Sequence, residues 1–126
     1  MIKAVASVLI KVSPIRKNMS ENIASNVGPE KIDIAYDRIG DPHSPCVLLI
    51  MGVGAQLVAW PDGFCAALVE RSLQVIRFDN RDVGRSSHLS HAPVPDLPAV
   101  LRGDLGSVSY TLSDMAGLCY IFGCKL

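Results

Sequence analysis

Two short stretches restrict the folds open to this chain more than anything else in it: "CVLLIM" at 46–51 and "LQVIRF" at 73–78. Neither alternates. A strand with one wet face shows a period of two, whereas a short unbroken apolar run points to a strand covered on both faces, as in a parallel sheet. Between the runs lies "WPDGFCAALVERS". Pro61 suits the first helical position, and Asp62 in the first turn complements the helix dipole. Phe64, Ala67 and Leu68 fall at i, i+3 and i+4, which predicts a helix with those three on its buried face. Strand, loop, helix and strand within about thirty residues make a βαβ unit, and so an α/β fold.

The flanks add a hairpin and a further helix. Residues 31–38, "KIDIAYDR", alternate, with Ile32, Ile34 and Tyr36 on one face and Lys31, Asp33 and Asp37 on the other. That predicts a strand with one solvated face, and "NIASNV" is its hairpin partner through Gly28 and Pro29. "GDPHSP" at 40–45 is turn material. Beyond residue 78 a long segment rich in Pro, Gly and Ser reads as a functional or mobile loop. "YTLSDMAG" then starts a helix, with Thr111 as N-cap and Asp114 completing a capping box.

The chain has 126 residues, 49% of them hydrophobic, which suits one globular domain. Twelve basic residues balance twelve acidic ones, so net charge gives no reason to expect nucleic acid or an anionic membrane as partner. No run reaches the roughly 18 apolar residues of a membrane span. The basic segment before Met19, itself a plausible start, has Lys11 interrupting its apolar run and does not read as a secretory signal. Residues 1–22 are expected to form a disordered leader, and 23–126 the domain. Cys46, Cys65, Cys119 and Cys124 have neither CxxC nor zinc-finger spacing. They are read as buried apolar residues or free thiols in a reducing compartment, and the chain as cytoplasmic, with no metal and no cofactor.

"VLLIMGVGAQ" at 47–56 carries the chemistry, because an apolar strand breaks there onto two glycines. One reading is a dinucleotide site. Gly52 and Gly54 begin the phosphate loop, and Asp79 lies near the roughly 20-residue distance of a ribose-binding acid. Leu57 occupies the third glycine position, however, and the helix starts too late to point directly at a phosphate. The other reading is an oxyanion loop, in which a backbone N–H at position 53 or 54 stabilises charge developing on an acyl oxygen. Each such donor is worth about 2.7–4 kcal/mol.

"IAYDRIGDP", "VLLIMGVGAQLVAWPDGF", "VIRFDNRDVGRSS" and "YTLSDMA" resemble, in order and spacing, the N-terminal part of α/β-hydrolase-fold proteins of the serine esterase and lipase-like branch. The resemblance covers residues 30–116 and implies an incomplete α/β-hydrolase sheet: an N-terminal hairpin, one βαβ unit and the start of a further helix. It implies an oxyanion loop at Gly52, Val53 and Gly54. It makes Asp79, Arg81, Gly84 and Ser86 a structural turn after the fourth strand. Met51 stands where many relatives have histidine. A full-length relative would hydrolyse a small-molecule ester through Ser, His and Asp without a cofactor.

The G-x-S-x-G elbow that carries the family's nucleophile is not in these residues. "GRSSH" lacks the closing glycine, and "GSVSY" has Val where Ser is needed. Ser86, Ser87 and Ser90 with His88, His91 and Asp82 or Asp96 read as solvated loop residues rather than an improvised triad. "GLCYIFGCKL" looks like an altered or truncated ending, and the expected chain is inactive alone. The resembled strand order makes 46–50 an apolar sheet edge open to self-association, and missing helices are expected to bare one sheet face. A non-catalytic strand-pairing module and the dinucleotide-binding unit are the alternatives.

Overall fold

The computed structural model describes residues 22–122. The leader expected over residues 1–22 lies outside them except for Asn22, which opens the first strand. The elements are β1 (Asn22–Val27), β2 (Ile32–Ile39), β3 (Cys46–Leu49), α1 (Asp62–Val69), β4 (Gln74–Phe78), α2 (Leu97–Leu101) and α3 (Leu112–Cys119). Short 3-10 turns span Leu57–Ala59 and Tyr120–Phe122.

The four strands form one mixed sheet in the order β1-β2-β4-β3. β1 pairs antiparallel with β2, as the alternation predicts, with an irregularity between Ala24 and Val27. Asn26 there has φ +59°, a left-handed conformation that asparagine tolerates. β2 runs antiparallel to β4, and β3 parallel to it. β3 is therefore a terminal strand of the sheet, as the resemblance implied.

All five residues of β4 are buried because both faces of the sheet are covered. Ile76 and Phe78 face a cluster with Ile32, Ile34, Val27, Leu118 and Phe122. Val75 faces the other side, with Leu49, Cys65, Leu68 and Val69. This double covering explains why the runs do not alternate. Burying each large apolar side chain contributes about 1.5–3 kcal/mol. The expectation of one bared sheet face needs correction: α3 and the turn after it lie on that face. Phe122 sits 5.1 Å from the Tyr36 ring and 5.2 Å from the Phe78 ring. α3 starts as predicted: Thr111 Oγ1 accepts from Asp114 N, and Asp114 Oδ2 accepts from Thr111 N at 2.7 Å. The Thr111 backbone and hydroxyl hydrogen bonds hold the Asp114 carboxyl below its usual range.

Five further details differ from the sequence reading. Pro61 is the N-cap of α1 rather than its first helical residue. The buried face of α1 is Cys65, Leu68 and Val69, one residue round from Phe64 and Ala67. Phe64 stays 44% exposed, with its ring stacked on Trp60, 5.6 Å away. Asp37 is only 4% exposed instead of solvated, because Arg77 lies opposite it across β2 and β4. The long segment after β4 contains α2, capped by Asp96, whose side chain accepts from Ala99 N at 3.1 Å. Cys46 takes part in a disulfide, so free thiols are found only at Cys65 and Cys119 among the described residues. Burial pushes both of these thiols up.

Candidate functional site

The candidate site is built where β3 and β4 end side by side. Parallel pairing stops at Leu49 opposite Arg77, and each strand then releases a loop at the same end of the sheet. In open α/β sheets the ends of the strands are where ligands are met. The loop after β3 carries Gly52, Val53 and Gly54. Ala55 N donates to Gly52 O at 3.3 Å, and Gly54 has φ +73°, the left-handed geometry a type II turn requires at its third residue. Val53 is fully exposed.

The loop after β4 holds the first loop from behind. Asp79, 3% exposed, accepts from Leu57 N at 2.7 Å through Oδ1 and from Arg85 N at 3.0 Å through Oδ2. Asn80 Nδ2 donates to Met51 O at 3.1 Å. Gly84 has φ +55°, and a side chain there would overlap the Asp79 carboxylate, so glycine serves both the turn and the close approach. Ser86 Oγ donates to Asp79 O at 2.6 Å and accepts from Ala35 N at 3.0 Å, tying the turn to β2. Arg81, 4% exposed, lies 2.6 Å from the Glu30 carboxylate and 4.6 Å from the centre of the Tyr110 ring. Burial and a hydrogen bond with Asp82 push the Tyr110 hydroxyl up.

Ser87 and His88 of this loop are likewise engaged with the backbone. Ser87 Oγ accepts from Asp33 N at 2.9 Å, and His88 Nε2 lies 3.0 Å from Gly84 O. Asp82 Oδ1 accepts from Leu89 N at 2.6 Å. A nucleophilic serine needs its hydroxyl beside a base and open to substrate. Ser86, 2% exposed, is shut away from any substrate. A ribose-binding role for Asp79 fits poorly for the same reason: its carboxylate is enclosed and already holds two backbone amides. A groove of about 370 Å³ opens between Asp82, Leu89, Tyr110 and residues 93–95, and the glycine loop does not line it. No group of three or more metal-ligating side chains gathers among the described residues. No helix among them is long and apolar enough to cross a membrane.

Sequence reasoning singled out Gly52, Val53, Gly54, Asp79, Arg81, Gly84 and Ser86, and the structure brings them to one end of β3 and β4. It missed Asn80 and Leu57, which join the two loops. The only signal for either was position: Asn80 follows Asp79 directly at the end of an apolar strand.

No protein-family profile matches the chain. Rhodomycin D methylesterase DnrP of Streptomyces peucetius is 38% identical over 66 residues, which make up 52% of this chain and 22% of that protein. The probable oxidoreductase EphD of Mycobacterium tuberculosis is 39% identical over 74 residues, 59% of this chain and 12% of that protein. A solved thioesterase domain from the curacin biosynthetic pathway superposes with a TM-score of 0.58 at 23% identity, over 83% of this chain and 32% of that one. The chain thus spans less than a quarter of the length of these sequence relatives. Sheet order and superposition define the class: this is an α/β-hydrolase fold, present as an incomplete sheet. Within that class the sequence resembles ester-hydrolysing members.

Proposed function

We propose that this chain forms the oxyanion-loop side of an ester-hydrolysing site acting on a small-molecule ester, with backbone N–H groups of Val53 or Gly54 as the donors. One observation carries the reading. A glycine turn at the end of β3 is held at both ends by buried side chains of the β4 turn, Asn80 on Met51 and Asp79 on Leu57. Fixed amides of this kind stabilise a developing oxyanion because they need no reorganisation as charge forms. The methylesterase relative supports the substrate class. No cofactor enters this chemistry. Asp79, Arg81, Gly84 and Ser86 shape the turn behind the loop, and none of them acts on substrate.

The test is a titration of the chain with ethyl methylphosphonate, a singly charged tetrahedral anion, followed by amide chemical shifts. The amides of Val53 and Gly54 should shift together and saturate, while those of β2 stay put. Shifts confined to the basic side chains, or none, would remove the oxyanion reading.

A second reading has its own observation. β3 ends the sheet, and Val47–Leu49 pair with β4 on one side. An apolar terminal strand recruits other strands. Self-association through this edge is the proposed alternative, and a defined dimer by light scattering after size-exclusion chromatography supports it, whereas a monomer removes it.

A further inference from the structure

We infer that Asn80 is a positioning residue for the glycine loop: its side-chain amide takes over where the β3 ladder stops and fixes how the loop leaves the sheet. The functional meaning of this role rests on the oxyanion reading above; the anchoring itself does not.

The loop has no packing of its own. A side chain added at Gly52 or Gly54 would meet nothing within 4 Å, and Val53 is fully exposed. The turn bond from Ala55 to Gly52 is internal and holds shape, not place. The position of the loop is therefore set at its ends. Downstream, Leu57 is fixed by its buried side chain and by the bond from its N–H to Asp79. Upstream, β3 ends at Leu49, and Ile50 is already 55% exposed. The next backbone group held is Met51 O, by Asn80 Nδ2 at 3.1 Å. The peptide unit is planar and trans, so fixing the Met51 carbonyl also fixes the direction of the Gly52 N–H and the plane from which the turn starts. Asn80 can impose this because it is itself immobile: 5% exposed, next to Asp79, with its carbonyl accepting from Val83 N at 3.0 Å. A buried amide that lost Met51 O would leave an unpaired donor, which is costly.

Backbone 15N relaxation on the whole chain, comparing wild type with N80D, N80S and N80Q, tests the inference. N80D keeps the size and loses the donor; N80S loses the reach without adding charge; N80Q keeps the amide. In wild type, order parameters at residues 52–54 should be near the rigid value of about 0.85, and in N80D and N80S they should fall below about 0.6. N80Q should recover most of the order. Leu57 and the β4 amides should be unchanged in all three. Unchanged order at 52–54 in N80S, or loss spread equally over β2 and β4 in both N80S and N80Q, overturns the inference. The phosphonate titration of the wild type separates the two claims. A loosened loop in N80S without phosphonate shifts at 53 and 54 keeps Asn80 as an anchor and rejects the oxyanion role. Phosphonate shifts with an unmoved loop do the reverse.

Discussion

Arg77→Ala should abolish cooperative unfolding, or bring the urea midpoint close to zero. Arg77 sits in the middle of β4, directly opposite Asp37 of β2, and both are almost fully buried. Its Nε donates to Asp37 Oδ2 at 3.2 Å, and its Nη1 donates to Trp60 O at 3.0 Å and Asp62 Oδ1 at 3.2 Å. One side chain thus joins the centre of the sheet to the start of α1. Removing it leaves the Asp37 carboxylate buried without a counter-charge, which costs about 3–5 kcal/mol. Small domains have only about 5–15 kcal/mol in total, and an open sheet edge puts this one toward the lower end. The double variant Arg77→Met with Asp37→Leu should regain most of the loss, because it removes both charges together and keeps the volume. Equal destabilisation in the single and double variants would show that Arg77 acts through packing and not through its charge.

Asp79→Ala is expected to cost about 2–3 kcal/mol, read as a fall in the urea midpoint. The carboxylate is a buried acceptor for two amides, and bonds to charged groups contribute about 1.5–3 kcal/mol each. Part of that is offset because an anion no longer has to be buried. The Arg85 amide lies in an exposed residue and finds water, whereas the Leu57 amide does not. Gly84→Ala strikes the same contact from the other side, since its new methyl group overlaps the carboxylate. The two substitutions should therefore fall short of additivity by at least about 1 kcal/mol, as expected for residues in contact. Full additivity would mean that the Gly84 requirement is set by its φ of +55° alone.

Much of the frame was legible because covered strands have a plain signature. The runs at 46–51 and 73–78 fall on β3 and β4, shorter by one or two residues at their ends, and the alternation at 31–38 falls on β2. What escaped the sequence were contacts between elements. A period of two assigns Asp37 to water, but it does not show that Arg77 will arrive opposite it from forty residues away. Helical spacing gives a face to α1 but not its rotation, which sets Cys65, Leu68 and Val69 against the sheet and leaves Phe64 outside. The glycines of the loop were visible as glycines. Asn80, which holds Met51, was visible only as one residue in a turn. The disulfide at Cys46 left no mark in cysteine spacing.

The central claim is that these residues build an oxyanion loop with no serine nucleophile facing it. Hydrolysis of a p-nitrophenyl acyl ester by the purified 126-residue chain tests it most directly. Release of p-nitrophenolate should stay at the buffer rate, with no burst and no saturation as ester is raised. Steady turnover that disappears in Ser86→Ala, Ser87→Ala or His88→Ala would contradict the claim and place a working nucleophile in the β4 turn.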